Sequence, residues 1–373
     1  MTNTRTASTP PSPDVSAHSA GEQEVKFWDS LKIVDFQAAN APAVFAQSLK
    51  DTGFAVLTNH IVDEKLIQEV YQEWRDFLTY LDENQEKLCA EEDLEQEFST
   101  TSTDPDCNAD ESEEDGNEIV DDTTPKEQIN QKQAEMFSLE KNGKSKSKSP
   151  LPYMRNLKTQ DGYFPVKHAE SAKGQTVRDI KHYYQCYFPW GRYPKEVSLR
   201  AQKLFRQMIQ LGRILLQWID EHMDPEVRAR LPGKLTDCLS EEQTMLRVLH
   251  YPAYKSKDFA PGAVRAAAHE DINLITVLPA GSARGLQVQS NQSGEWYEVP
   301  CVPGSIVINI GDMLQEMTNR EYIATTHRVL KMEEGERMST PCFIHATKDT
   351  YLSERYKTAG DFLMERLREL GVA

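Results

Sequence analysis

The sequence of 373 residues contains no long apolar run. No stretch approaches the roughly 18 consecutive apolar residues that a membrane-spanning helix requires. The first 24 residues also lack the apolar core of a secretory signal. We therefore expect a cytoplasmic protein with no membrane partner.

Closely spaced cysteines are absent as well. No C-x-x-C pair occurs among the six cysteines, which are Cys89, Cys107, Cys186, Cys238, Cys301 and Cys342. This spacing suits a reducing compartment and argues against a zinc site built from cysteines. We expect free thiols and no disulfides.

A basic surface is the third feature that the sequence lacks. The net charge of -17 is confined to one segment, because residues 82–122 hold 18 acidic residues and only one basic residue, Lys87. The rest of the chain is electrically balanced. Without a basic stripe to displace counterions from phosphates, nucleic acid is excluded as a partner.

Composition and periodicity divide the chain into six parts. We predict a disordered tail, the N-terminal part of the main domain, an acidic low-complexity insertion, a helical region, a β-rich core and a C-terminal helix. In that order, the parts span residues 1–24, 25–87, 88–150, 151–240, 241–350 and 351–373. The tail is rich in Ser, Thr and Pro, so it cannot offset its ordering entropy by burying apolar surface.

The insertion at residues 88–150 changes from an acidic, Ser/Thr-rich run to the basic sequence KNGKSKSKSP. We interpret it as a solvated tether, since each doubling of loop length costs only about 0.6 kcal/mol of closure entropy. The alternative is a regulatory contact, in which the acidic block folds back on the basic one or meets a basic protein partner.

Apolar periodicity predicts the regular elements. Spacings of three and four residues predict helices at residues 62–81, 196–223 and 358–370. Short strands are predicted at residues 31–36 and 53–60. From Thr244 onward, turn residues separate a series of β-like runs, one of which is the continuous stretch 265–278. We therefore predict an α+β fold whose β part is a sandwich or jelly roll of roughly 110 residues.

A candidate metal site lies in the β-rich part. One residue separates His269 from Asp271, so on a strand both side chains would project from the same face. His327, in the strand-like TTHRVL, offers a third ligand. Two histidines and one carboxylate form the facial triad of Fe(II) oxygenases and leave adjacent positions open. The competing interpretation is a chance H-x-D pattern with structural histidines.

Arg337 lies ten residues after His327, and Ser339 lies two residues after Arg337. On a strand, Arg337 and Ser339 would therefore share one face. A guanidinium beside a hydroxyl is a receptor for a carboxylate, and Tyr251 can supply a further hydroxyl. The alternative for Arg337 is a surface ion pair with Glu334 or Glu336.

These motifs resemble, in content and order, the isopenicillin N synthase-like branch of the 2-oxoglutarate and Fe(II)-dependent oxygenases. GFAVLTNHIVDE resembles that family's N-terminal segment, and GYFPVKHAESAKGQTVRDIKHYY its central region. HEDINLITVLPAGSARGLQV, GSIVINIGDMLQEMTN, THRV and RMS then follow in the family's order.

The resemblance implies a double-stranded β-helix (jelly-roll) core packed against N-terminal helices and a long core helix. It also implies Fe(II), dioxygen and 2-oxoglutarate as cofactor and cosubstrates. By this analogy, His269, Asp271 and His327 bind the iron, while Arg337 and Ser339, assisted by Tyr251, bind the distal carboxylate of 2-oxoglutarate. Leu249 departs from the pattern, because many plant members have Asn there.

The implied reaction is hydroxylation or desaturation of a small organic molecule, with succinate and CO2 as coproducts. A similar Arg and Ser pair serves other ligands in isopenicillin N synthase and in aminocyclopropane-carboxylate oxidase. A 2-oxoglutarate-independent Fe(II) oxidase therefore stays open, as does a non-catalytic metal-binding β-barrel. For the substrate pocket, the aromatic stretch at residues 182–194 is the candidate wall, unless its rings only pack against the barrel.

Overall fold

The computed structural model describes residues 30–84, 153–156, 159–166, 179–188, 190–253, 264–330 and 335–369. The predicted tail at residues 1–24 and the predicted insertion at residues 88–150 lie outside this part of the chain. Among the described residues, no helix has the length and apolar character needed to cross a membrane. The described cysteines are free thiols, namely Cys186, Cys238, Cys301 and Cys342.

Helices precede and follow a large number of short strands. The helices are α1 (Ala41–Thr52), α2 (Glu64–Glu83), α3 (Arg200–His222), α4 (Pro225–Arg228), α5 (Leu235–Cys238), α6 (Asp312–Met317) and α7 (Ala359–Glu369). The strands are β1 (Ile33–Asp35), β2 (Phe54–Thr58), β3 (Gly162–Phe164), β4 (His182–Tyr187), β5 (Leu239–Tyr251), β6 (Ala266–His269), β7 (Ile275–Pro279), β8 (Leu286–Gln289), β9 (Trp296–Glu298), β10 (Ile306–Ile310), β11 (His327–Val329), β12 (Arg337–Ser339) and β13 (Cys342–Ala346).

The strands form two sheets. The larger has the order β1-β2-β10-β7-β13-β5-β4-β3, and β12 also pairs with β5. The smaller has the order β6-β11-β8-β9. Except for the parallel pair β1 and β2, the pairings between these strands are antiparallel. This arrangement confirms the predicted α+β jelly roll.

The two largest apolar clusters hold the helices and the two sheets together. The larger lies between the outer face of the large sheet and the helices, where Trp74, Leu204 and Ile344 are fully buried. The smaller lies between the two sheets and includes Phe54 and Val288. Because the larger cluster covers only one face of the large sheet, the opposite face of β5 and its neighbours is left to form the wall of an interior site.

A side-chain cap and a glycine turn define the start of α2 and the end of α1. Asp63 caps α2, since its carboxylate accepts the N–H groups of Lys65 and Leu66. Gly53 ends α1 with a φ of 72°. A Cβ at Gly53 would lie 2.2 Å from Thr325 Oγ1, so this close turn into β2 requires glycine.

Two predicted segments differ from the structure. The run 265–278, predicted as one β-like stretch, is divided into β6 and β7, which belong to different sheets. A turn separates them, in which the Asn273 amide donates to the Ile275 carbonyl and to Thr276 Oγ1. Apolar periodicity does not reveal such a crossing between sheets.

The part predicted as helical, residues 151–240, also contains β3 and β4, which extend the large sheet. The sequence HYYQCY of β4 is buried on both faces, so it lacks the alternation by which half-buried strands are recognised. The long helix begins at Arg200 rather than at Glu196.

Candidate functional site

Three side chains meet where the two sheets approach each other. His269 ends β6 and His327 begins β11, and the two residues face each other in the antiparallel register of these strands. Asp271 lies just beyond β6, in the turn that crosses to β7. The crossing, rather than the period of a continuous strand, therefore brings Asp271 beside the histidines.

The distances suit a single metal ion. Asp271 Oδ1 lies 3.8 Å from His269 Nε2 and 3.9 Å from His327 Nε2. One ligand atom from each of the three residues lies within 4.8 Å of the others, and the imidazole centroids are 4.4 Å apart. A divalent ion about 2.0–2.2 Å from each atom fits between them.

Backbone carbonyls orient both imidazoles. His269 Nδ1 lies 2.7 Å from the Ala267 carbonyl oxygen, and His327 Nδ1 lies 3.1 Å from that of Thr325. A carbonyl only accepts, so each Nδ1 carries the proton and each Nε2 has a lone pair for a metal. Burial, followed by the neighbouring His327, lowers the pKa of His269 to about 4, so its ring is neutral at pH 7.

Two neutral donors orient Asp271. Its Oδ2 accepts hydrogen bonds from Thr276 Oγ1 at 2.6 Å and from Asn309 Nδ2 at 2.8 Å, which leaves Oδ1 for the metal. Burial acts to raise the pKa of Asp271, but His327, His269 and these hydrogen bonds outweigh it and hold that pKa below its usual value. Asp271 is therefore ionised at neutral pH, as a carboxylate that binds a metal must be.

The sequence did not single out Thr276 and Asn309. Each is a polar residue inside an otherwise apolar run, in LITVL and SIVINI respectively. Both side chains are almost fully buried, and a buried polar side chain requires a partner. A polar residue inside an apolar run was the feature by which the sequence could have revealed Thr276 and Asn309. The sequence alone did not show that their partner is Asp271.

The predicted carboxylate receptor lies on adjacent strands of the large sheet. In the antiparallel register of β12 and β5, Arg337 pairs with Tyr251 and Ser339 pairs with Leu249. The Arg337 guanidinium carbon lies 5.2 Å from the centre of the Tyr251 ring. The structure therefore brings Arg337, Ser339 and Tyr251 together, and it places Leu249 beside Ser339.

Arg337 is buried, with 2% of its surface exposed. Its Nε donates to the Ala283 carbonyl at 3.0 Å, whereas its Nη1 has no hydrogen-bond partner among the described residues. A Cβ on Gly281 would lie 2.4 Å from Arg337 Nη2, so a larger residue at this position would displace the guanidinium. Arg337 also lines a small, partly open pocket together with Leu278, Leu286 and Val307. A buried charged nitrogen without a partner indicates a site for an anion.

The surface ion pair considered for Arg337 does not occur with Glu336. Glu336 instead binds Arg75 and His250, at 2.9 and 3.0 Å. Glu334, the other considered partner, lies outside the described residues.

The aromatic stretch at residues 182–194 is shared between two faces of β4. Tyr184 and Phe188 pack into the large apolar cluster, whereas Tyr183 lies on the opposite face against Leu249 and Tyr251. The ring of Trp190 is partly exposed and stacks on Tyr187. Part of this stretch is core, and part faces the interior site.

Comparisons with known proteins agree with this geometry. Residues 242–346 match the family model described as the 2OG-Fe(II) oxygenase superfamily. The crystal structure of a Shewanella oneidensis protein described as an oxygenase is 34% identical to this chain, with a TM-score of 0.64. That similarity covers 92% of this chain and 99% of the other. The chain belongs to the 2OG-Fe(II) oxygenase superfamily.

Relatives with assigned names share a shorter region. "1-Aminocyclopropane-1-carboxylate oxidase homolog 3" of Arabidopsis thaliana is 33% identical over 139 residues, which are 37% of this chain and 35% of the relative. A "2-oxoglutarate-Fe(II) type oxidoreductase" of Aspergillus fumigatus is 35% identical over 171 residues, 45% of this chain and 48% of the relative. The chain therefore matches about a third to a half of the length of these relatives.

Proposed function

We propose that this protein is an Fe(II)- and 2-oxoglutarate-dependent dioxygenase that hydroxylates or desaturates a small organic molecule and releases succinate and CO2. The observation that carries the proposal is the buried Arg337 guanidinium, one nitrogen of which has no partner among the described residues, together with the convergence of His269, Asp271 and His327. Family membership agrees with this function.

The donor set fits Fe(II). Two imidazoles and one carboxylate leave three coordination positions for other ligands, and the hydrogen bonds to Ala267, Thr325, Thr276 and Asn309 orient the protein side chains in advance. When bound, iron would supply the redox chemistry that couples cosubstrate decarboxylation to oxidation of a substrate C–H bond.

Arg337 would bind the distal carboxylate of 2-oxoglutarate. A charge-assisted hydrogen bond of this kind contributes about 1.5–3 kcal/mol. Ser339 and Tyr251 are the neighbouring hydroxyl donors for the same carboxylate. Because all three side chains are buried, the carboxylate would be held away from bulk water, where its bond to the guanidinium is strongest.

The experiment that tests the proposal measures succinate and CO2 release from 2-oxoglutarate by purified protein with Fe(II) under air, while metabolites are screened for stimulation. If the protein is such a dioxygenase, it should release one succinate for each substrate molecule that it oxidises. Substrate oxidation without succinate would instead support the 2-oxoglutarate-independent oxidase. Absence of 2-oxoglutarate binding and of all turnover would support the non-catalytic barrel.

A further inference from the structure

Cys301 is the exposed thiol among the four cysteines that the structure describes. The other three, Cys186, Cys238 and Cys342, are buried, and burial raises the pKa of each thiol. A buried thiol with a raised pKa forms little thiolate and therefore reacts slowly. Within the described part of the chain, Cys301 is the cysteine that a reagent in solution can reach.

Cys301 lines the same small, partly open pocket as Arg337. Its Sγ donates a weak hydrogen bond to the Gly281 carbonyl, with 3.7 Å between sulfur and oxygen. Gly281 also lies against the guanidinium, because a Cβ added to it would come within 2.4 Å of Arg337 Nη2 and 2.7 Å of the guanidinium carbon. The exposed sulfur and the buried cation therefore contact the same residue from two sides.

The positive charge of Arg337 is not compensated within this pocket. Arg337 is 2% exposed, and its Nη1 has no hydrogen-bond partner among the described residues. Arg284, the other charged residue in the wall, binds Glu298 at 2.8 and 2.7 Å. No acidic residue of the described chain lines the pocket, and much of the wall is apolar, namely Leu278, Leu286, Val299 and Val307. The pocket is suited to an anion.

The segment that carries Gly281 is bonded to the strand of Arg337. Ala283 accepts the Arg337 Nε–H at 3.0 Å. The Ser282 N–H donates to the Met338 carbonyl at 3.2 Å, and the Met338 N–H donates to Ser282 Oγ at 2.8 Å. A group attached to Cys301 would therefore act on Arg337 either directly, through the pocket, or through this bonded segment.

We propose that Cys301 is a modification site for small disulfides that carry an anionic group, and that the attached anion binds Arg337 and prevents 2-oxoglutarate from binding. The Cys301 thiolate attacks one sulfur of the disulfide, whose S–S bond breaks. A new S–S bond joins that sulfur to Cys301, and the other half leaves as a thiolate that takes up the proton lost from Cys301. The effect on 2-oxoglutarate rests on the proposed function, whereas the modification itself does not.

The test uses two thiosulfonates of nearly equal size and opposite charge, 2-sulfonatoethyl and 2-(trimethylammonio)ethyl methanethiosulfonate. Each transfers its thioalkyl group to a thiolate and releases methanesulfinate. The rate at Cys301 in the purified full chain is followed by mass spectrometry of its peptide and is divided by the rate with free N-acetylcysteine. We expect the anionic reagent to be favoured about fivefold or more, because the charge of Arg337 attracts it.

Variants assign this preference to Arg337. Arg337→Gln should reduce the anionic-over-cationic ratio to about that of the free thiol, and Arg337→Lys, which keeps the charge, should retain most of it. The matched control is the double variant Arg284→Gln with Glu298→Gln. It removes a cation and its bound anion beside the same pocket without changing the net charge, so the ratio should persist. The melting temperature of each variant verifies that the chain remains folded.

A calorimetric titration of the iron-loaded protein without dioxygen measures the effect on 2-oxoglutarate. Complete modification of Cys301 by the sulfonate reagent should raise the Kd of 2-oxoglutarate about tenfold or more, and saturating 2-oxoglutarate should slow the modification in return, because coupling between two sites is reciprocal. Cys301→Ala keeps the other cysteines. After the same treatment it should bind 2-oxoglutarate as the untreated wild type does.

The outcomes distinguish this inference from the proposed function. Failure of both reagents to modify Cys301, a ratio no higher than that of the free thiol, a ratio unchanged by Arg337→Gln, or an unchanged Kd after complete modification would overturn the inference. If 2-oxoglutarate does not bind the untreated iron-loaded protein, the proposed function fails together with the blocking effect. The charge ratio requires neither iron nor 2-oxoglutarate, so it still decides whether Cys301 is an anion-selective modification site.

Discussion

Polar side chains lie on both faces of the sheet at β5 and β12, and the two sets differ in whether their polar atoms have hydrogen-bond partners. On the outer face, the Tyr163 hydroxyl lies 3.0 Å from His182 Nδ1, and His182 Nε2 lies 2.8 Å from His250 Nδ1. His250 Nε2 then meets Glu336, which also binds Arg75. Every ring nitrogen of both histidines has a partner. Arg337 follows Glu336 in sequence and lies on the inner face, and its buried Nη1 has no hydrogen-bond partner among the described residues.

Side chains that stabilise the fold and side chains suited to ligand binding therefore lie on opposite faces of these two adjacent strands. Hydrogen bonds among Tyr163, His182 and His250 stabilise the native state, because each of these buried groups would cost about 1–3 kcal/mol if left without a partner. An unsatisfied cation costs stability until a ligand arrives. We therefore expect changes on the inner face to affect binding and turnover, and changes on the outer face to affect unfolding.

The largest expected effect follows from His327→Ala on the inner side. With two ligands left, the site should lose tight Fe(II) binding and turnover, while the melting temperature of the metal-free protein changes little. His269→Ala and Asp271→Ala should behave alike. His222→Ala at the end of α3, remote from the site, is the control and should keep both properties. Iron content and succinate release measure the effect, and near-normal values for His327→Ala would refute the ligand assignment.

The second prediction concerns Arg337. Arg337→Lys keeps the charge but loses the planar donor group, so the apparent KM for 2-oxoglutarate should rise on the order of tenfold or more, given about 1.5–3 kcal/mol per charged hydrogen bond. Arg337→Ala should have a larger effect. Iron affinity should stay unchanged in both variants. An unaltered 2-oxoglutarate dependence would remove Arg337 from the cosubstrate site and favour the oxidase.

The third prediction tests the outer face through pH. Burial, followed by the charge of His250, lowers the pKa of His182 to about 3, from 6.5. Between these values the unfolded state binds more protons than the native state, so stability should fall as pH falls from about 6.5 towards 3. Other groups facing His182 and His250 include Asp82, Arg75 and Glu336.

The measurement is the free energy of unfolding in urea at pH 7 and pH 5. His182→Gln should be less stable than wild type at pH 7, and the difference should shrink at pH 5. The KM for 2-oxoglutarate at pH 7 should change far less than in Arg337→Lys. A pH-independent difference between wild type and variant would contradict the buried neutral state of His182.

The smallest expected effect comes from deleting residues 88–150 and joining the ends with a short flexible linker. A segment without apolar periodicity contributes little to the core, so melting temperature and catalytic rate should stay nearly constant. Loss of soluble protein or of iron binding would show that the segment has a structural role.

Different parts of the molecule were predictable for different physical reasons. The helices at residues 62–81 and 358–370 are confirmed within two residues at each end, because amphipathic helices repeat one apolar period over many residues. The division of 265–278 between two sheets was not predictable, since it depends on pairing with strands distant in sequence. The same holds for β4, whose two faces are both buried.

The candidate site also contains residues that the sequence identified and residues that it did not. Residue chemistry and the family resemblance singled out the three metal ligands, Arg337, Ser339 and Tyr251, and the structure brings each group together. Their role in metal and cosubstrate binding stays a prediction. The partners Thr276 and Asn309 were missed because only the three-dimensional arrangement shows that they bind Asp271.

Because the chain crosses between the two sheets from β6 to β7, the candidate metal ligands are held by both sheets. His269 and His327 belong to the small sheet, whereas Asp271 is bonded to Thr276 and Asn309 of the large sheet. A bound ion would therefore cross-link the two sheets at the point where they could separate. Loading should raise the free energy of unfolding by about 2.7 kcal/mol at a free metal concentration a hundred times the Kd, and amide hydrogen exchange should slow most in β6 and β11.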